Sequence, residues 1–181
     1  MARKINKTAI LSIHGIAHNG HAVGRTEQGM VVFVEGAVPG DVVEVVLLRK
    51  RKGSWHGRVL NILTPSENRT QAFCDHFGIC GGCSWQHLNY AAQMEFKSGW
   101  VKDAVQRIAK LEDDTIFEDP MPAEEIRFYR NKLEFTFSAH KWFIASDKGL
   151  KEENEQNCAL GFHRPGHFSK VVDIQRCFLQ S

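Results

Sequence analysis

From Ala9 to Ile62 the apolar residues fall into short runs with the period of a β-strand. A-I-L-S-I-H-G-I alternates, M-V-V-F-V is a compact apolar segment, D-V-V-E-V-V-L-L is a longer one, and W-H-G-R-V-L-N-I is a fourth. Turn residues separate them: His18-Asn19-Gly20, Gln28-Gly29, Val38-Pro39-Gly40-Asp41 and Lys52-Gly53-Ser54. Four or five short strands joined by glycine turns predict a small closed barrel of the OB kind. Thr64-Pro65-Ser66-Glu67-Asn68 then reads as a linker. Past it, Leu88–Leu111 changes to helical spacing, with Met94, Val101, Val105 and Ile108 in one stripe. Phe96, Trp100, Ala104 and Leu111 widen that stripe. Glu112–Glu125 is acidic and broken by Pro120 and Pro122.

The period returns to two at Phe128–Phe137, where Leu133, Phe135 and Phe137 share one face and Lys132, Glu134 and Thr136 the other. Lys141–Ala145 is expected to be its hairpin partner. Ser146–Asn157 is polar and reads as a loop tip. Leu160–His163 and Phe168–Ile174 are expected as two further strands around Pro165-Gly166, the second running into Cys177. The pattern therefore predicts a mainly β, α+β chain. Residues 1–66 form the barrel, and 67–181 hold a cysteine loop, a connecting helix over 88–111 and an antiparallel β domain.

Composition narrows the class. Of 181 residues, 43% are hydrophobic and 10% aromatic, which is enough to pack cores. The start, M-A-R-K-I-N-K-T, has no secretory apolar region, and no stretch approaches membrane-spanning length. A cytoplasmic protein is expected, and in a reducing compartment clustered cysteines read as metal ligands. The net charge of +2 is uneven: residues 1–70 carry ten Lys/Arg against five Asp/Glu, the rest thirteen against sixteen. A polyanion would therefore dock on the first part. The run Arg49-Lys50-Arg51-Lys52 is expected as a basic loop, suited to the phosphates of single-stranded nucleic acid. Trp55 by itself reads as a barrel residue.

The chemistry concentrates in C-D-H-F-G-I-C-G-G-C-S-W-Q-H, Cys74 to His87. Three cysteines sit here with Gly78, Gly81 and Gly82 between them, the make-up of a loop wrapped on a metal centre. The fourth sulfur is Cys158 or Cys177; Cys177, at the end of an expected strand, is the better fixed. A three-plus-one set of thiolates suits a cubane iron–sulfur cluster. Structural zinc is the alternative, with His76 and His87 as further donors. The spacing C-x5-C-x2-C differs from the C-x3-C-x2-C of radical enzymes that use S-adenosylmethionine.

Two resemblances sharpen these expectations. Residues 8–64 resemble a TRAM domain, an OB-type RNA-binding module, with Gly20, Gly24, Arg25, Gly29, Phe33, Val34, Pro39, Gly40 and Asp41 in order. The cysteine run continuing to Gln93 and Lys97, with Y-R-N-K-L-E-F at 129–135, L-G-F-H at 160–163 and V-V-D-I-Q-R-C at 171–177, resembles TRAM-containing RNA uracil-5 methyltransferases. That likeness implies a 4Fe-4S cluster on Cys74, Cys80, Cys83 and Cys177. It also implies a central RNA-binding β domain after residue 125, and ribosomal RNA ahead of transfer RNA as partner. RNA contacts are expected from Arg25, Lys50, Arg51, Lys52, Arg58, Arg130, Lys132 and Arg164. Lys132 paired with Glu134 is the competing reading for that strand. In the family, a cysteine attacks uracil carbon 6 and carbon 5 takes the methyl of S-adenosylmethionine. The sequence lacks G-x-G-x-x-G, βαβ alternation and a matching nucleophile. It is expected to be the N-terminal portion, inactive alone, with the missing catalytic domain covering the 94–111 helix.

Overall fold

The computed structural model describes residues 7–17, 19–111, 117–143 and 157–180. Among the described residues the regular structure is mainly β, with one helix, a closed five-stranded barrel and a separate three-stranded antiparallel sheet. The chain divides into two compact units. The first holds residues 1–71 and 87–122, and the second holds 72–86 and 123–181.

In the first unit, β1 (Thr8–Ile16), β2 (Ala22–Arg25), β3 (Val31–Glu35), β4 (Val42–Arg51) and β5 (Ser54–Thr64) close in the order β1-β2-β3-β5-β4. All neighbours are antiparallel except β3 and β5. Alternation decides the two faces. Leu11, Ile13, Ala22, Val32, Val34, Val43 and Val45 point inward and are buried, with Leu47, Trp55 and Val59 packed against them. Trp55 is thus a barrel residue. The expected basic loop is corrected: Arg49, Lys50 and Arg51 belong to β4, and only Lys52 and Gly53 form the turn. Both turn residues have positive φ (48° and 82°), the backbone a two-residue hairpin demands.

A buried carboxylate ties the linker to the barrel. Asp41 is wholly inaccessible and accepts from Val38 N–H (2.8 Å), Ser66 N–H (2.9 Å) and the Arg69 guanidinium. Burial alone would raise its pKa. The Arg69 hydrogen bond and the two backbone N–H groups outweigh burial and hold it below the ordinary value. Arg69 also donates to the Gly36 carbonyl at 3.0 Å.

The helix α1 spans Tyr90–Arg107, shorter at both ends than expected. Asn89 caps it by accepting from Ala92 N–H at 2.8 Å, so Leu88 lies before the cap, where it is buried. At the other end Lys110 adopts φ 59°, incompatible with continuing the helix. Trp100 donates its indole N–H to the Ile16 carbonyl at 3.2 Å. The rest of the stripe is only partly covered within this unit: Val101 is 57% exposed and Ile108 82%.

In the second unit, β6 (Thr136–Ser138), β7 (Ala159–Arg164) and β8 (His167–Asp173) form the sheet. The strand expected over Phe128–Phe137 is reduced to β6. Phe128 has φ 55°, outside the β region, and the N–H groups of Phe128 and Arg130 go to the carbonyls of Phe178 and Leu179. Alternation marked a face, but it could not supply a strand partner. Lys141 is likewise no hairpin partner for that segment. It bridges Val171 in parallel, and Trp142 N–H donates to the Val171 carbonyl at 2.7 Å. Ala145 and the polar segment through residue 156 lie outside the described residues.

Candidate functional site

The cysteine loop is built onto β7. Gly81 N–H donates to the His163 carbonyl at 3.1 Å, and a Cβ at Gly81 would stand 2.6 Å from that oxygen. Only glycine permits so close a backbone approach. Gln86 closes the loop from within: its side-chain Oε1 accepts from Cys74 N–H at 3.2 Å, and the same side chain hydrogen-bonds Cys83. Gly82 N–H points at Cys80 Sγ, 3.3 Å away.

Cys177 reaches this loop by a different device from the one expected. Strand β8 ends at Asp173, so Cys177 is four residues past it in irregular chain. Phe178, its neighbour, packs edge-on against Phe73, the neighbour of Cys74, with ring centroids 5.3 Å apart. Phe128 lies against the same ring at 5.8 Å. Arg127 covers Phe73 at 4.4 Å and Arg176 covers Phe178 at 4.7 Å. A hollow of about 420 Å³ opens beside Cys177, lined by Phe128, Phe135, Arg176 and Gln180.

Two of these thiols, Cys80 and Cys83, are shifted. Burial, together with the repulsion of Cys83, Cys74 and Cys177, pushes Cys80 up to about 11, against the Gly82 N–H. Burial and then Cys177 and Cys74 raise Cys83 also; Gln86 and the charge of Arg130 oppose the rise. Cys158 is exposed and contributes to neither shift. Among the described residues, no three His, Cys, Asp or Glu side chains converge closely enough to hold one metal ion. His76 Nδ1 lies 3.9 Å from Cys74 Sγ. The other zinc candidate, His87, is buried against the barrel, its Nε2 3.3 Å from the Ala37 carbonyl. Cys74, Cys80, Cys83 and Cys177 are all half-buried thiols of this unit, soft donors of the kind an iron–sulfur cluster takes.

The expected RNA-contacting cations are distributed as follows. Lys50, Arg51 and Lys52 are exposed at the β4–β5 tip, and Arg58 is exposed on β5. Arg25 donates to the Gly29 carbonyl at 3.1 Å, bracing the β2–β3 turn. Lys132 pairs with Glu134 at 3.0 Å on the open surface. Arg164 stacks on Trp142 at 4.6 Å, with His167 against the same indole.

Sequence reasoning missed a row of side chains across the barrel's outer face. Val23, Phe33, His56 and Arg49 are direct cross-strand neighbours on β2, β3, β5 and β4. Strict alternation would point Arg49 inward with Val45 and Leu47. An irregularity between Leu47 and Arg49 adds a residue and turns Arg49 out beside His56. The Phe33 and His56 rings lie 5.4 Å apart at 32°, with His21 edge-on to His56 at 6.1 Å. Burial, with the charges of Arg49, His21 and Arg51, lowers the His56 pKa.

The chain contains a TRAM domain, matched over residues 2–60. It is homologous along nearly its whole length to proteins named uncharacterized RNA methyltransferases. The one from Porphyromonas gingivalis is 39% identical over 93% of this chain and 37% of its own length; that from Bacteroides thetaiotaomicron is 38% identical over 91% and 36%. The chain thus spans a little over a third of these relatives. Among solved structures, Pyrococcus abyssi tRNA (uracil-54, C5)-methyltransferase in complex with S-adenosyl-L-homocysteine is similar, with TM-score 0.49 and 23% identity. The match covers 95% of this chain and 32% of that one. No helix among the described residues is long and apolar enough to cross a membrane.

Proposed function

We propose that this chain is the RNA-recognition and iron–sulfur portion of an S-adenosylmethionine-dependent RNA uracil-5 methyltransferase, acting on ribosomal RNA ahead of transfer RNA. The observation that carries it is the match to RNA methyltransferases over 93% of the chain, cysteine loop included. In this reading residues 1–66 are the RNA-binding barrel and 67–181 the cluster-bearing part. Methyl transfer belongs to a catalytic domain outside this sequence, so the chain alone is inactive.

Cys74, Cys80, Cys83 and Cys177 would hold a 4Fe-4S cluster, whose contribution is to cross-link the loop to the segment after β8. The protein's own part is to bring the sulfurs near one another through the Phe73–Phe178 contact and the Gly81–His163 hydrogen bond. Loading displaces thiol protons, among them that of Cys80, so it is favoured by rising pH. Five free cysteines, three in one short loop, support a reducing cytoplasmic setting. The exposed Val101 and Ile108 support a helix face that the catalytic domain covers. The cations on β4 and at its tip, with Arg25 and Arg58, supply phosphate contacts. Arg130, Lys132 and Arg164 would add contacts in the second unit, although Lys132 must first leave Glu134.

The test is a pair of measurements on anaerobically purified protein. Charge-transfer absorption of an iron–sulfur cluster, together with single-stranded RNA binding that weakens steeply with salt, is the expected result. A colourless zinc protein, or RNA binding indifferent to salt, would overturn the reading.

A further inference from the structure

We propose that the outer face of β2, β3, β5 and β4 is a seat for one unpaired nucleobase, stacked on Phe33 and His56 with its phosphate at Arg49. The inference rests on the RNA reading above and adds where on the barrel a base is gripped. Three independent observations meet at this place. Cross-strand register puts Phe33, His56 and Arg49 side by side on the face opposite the core. The two rings are in offset contact, 5.4 Å apart and tilted by 32°, and His21 stands edge-on to His56. A cavity of about 220 Å³ lies over them, bounded by His21, Phe33, Glu35, Leu48, Arg49 and His56. That is small for a drug-sized ligand and suited to a single planar heterocycle.

Charge sets the orientation. Arg49 closes the cavity on the β4 side, and the exposed Lys50, Arg51 and Lys52 continue from it to the hairpin tip, a track for the following phosphates. Glu35 stands on the opposite side, its Oε1 3.9 Å from His21 Nε2. A carboxylate there repels phosphate and accepts a hydrogen bond from a base N–H, so it turns the base edge toward β3 and the backbone toward β4. The irregularity at Leu48 gains a purpose in this picture: it turns a guanidinium out beside a ring that can stack.

The full 181-residue chain can be titrated with a fluorescent oligouridylate and with an abasic ribose-phosphate oligomer of equal length. Phe33→Leu keeps the apolar volume but removes the flat ring, and His56→Gln removes the second one. Each is expected to weaken oligouridylate binding about 5- to 100-fold while leaving the abasic oligomer unaffected. Arg49→Gln should weaken both oligomers and reduce the salt slope by about one. With wild-type protein, the uracil ring protons should shift upfield from the ring currents of Phe33 and His56. If Phe33→Leu and His56→Gln bind oligouridylate like wild type while the salt dependence stays steep, the base seat is wrong and the RNA reading stands. If wild-type protein binds neither oligomer, both are wrong. Circular dichroism of the variants checks that the barrel is intact. Should Phe33→Leu unfold it, the His56→Gln titration and the upfield shifts decide.

Discussion

Removing the guanidinium of Arg69 should loosen the barrel far more than removing an ordinary surface charge. The Asp41 carboxylate it serves is wholly buried and accepts from two backbone N–H groups and two guanidinium N–H groups. Arg69→Ala deletes the latter two and strips a donor from the Gly36 carbonyl. Charged hydrogen bonds contribute roughly 1.5–3 kcal/mol each, and breaking a buried pair costs about 3–5 kcal/mol. Because the Arg69 side chain keeps 19% exposure and two N–H donors remain on Asp41, the low end applies, about 3 kcal/mol. Asp41→Ala should cost at least as much, since it leaves Val38 N–H and Ser66 N–H without their acceptor. The double variant should recover about 2 kcal/mol of the summed losses, the signature of direct coupling. A global melt would mix two compact units, so the assay is amide hydrogen exchange at the barrel residues Val32, Val34 and Val45. A change under about 0.5 kcal/mol in Arg69→Ala, typical of an exposed pair, would refute the reasoning.

The remaining predictions concern pH, the loop and the tip. His87 is held below 6.5, first by burial and then by Arg69. As pH falls below 6.5 the unfolded chain takes up a proton that the folded chain refuses, so barrel stability should decline on acidification. His87→Gln should flatten that decline in exchange-derived stability. Asp41, also lowered, keeps its stabilising contribution until pH falls below the unfolded value of 3.8 and through its own lower value. Gly81→Ala places a methyl 2.6 Å from the His163 carbonyl, which should lower iron content without moving barrel exchange rates. Replacing Lys50, Arg51 and Lys52 by Gln should reduce the slope of log affinity against log salt by about two to three, measured by anisotropy.

The barrel was legible because its strands alternate over enough of their length to mark an inner face, and each turn carries glycine or asparagine where the chain must reverse. Its outer row was not, because one extra residue at Leu48 inverts the parity of everything after it, and no single-strand pattern records a partner's register. Phe128–Phe137 shows the opposite failure: the alternation is real, yet the N–H groups of Phe128 and Arg130 are taken by the segment at Phe178 and Leu179. The three clustered cysteines could be read from spacing. Cys177 was expected at the end of a strand, whereas the structure brings its neighbour Phe178 against Phe73, a pairing that no local pattern announces.

Iron and acid-labile sulfide per chain, measured after anaerobic reconstitution of Cys177→Ala and Cys158→Ala side by side, bears most directly on the four-sulfur centre. Cys158→Ala should match wild type in both, and Cys177→Ala should lose most of each. Full loading of Cys177→Ala, or an empty Cys158→Ala, would contradict it.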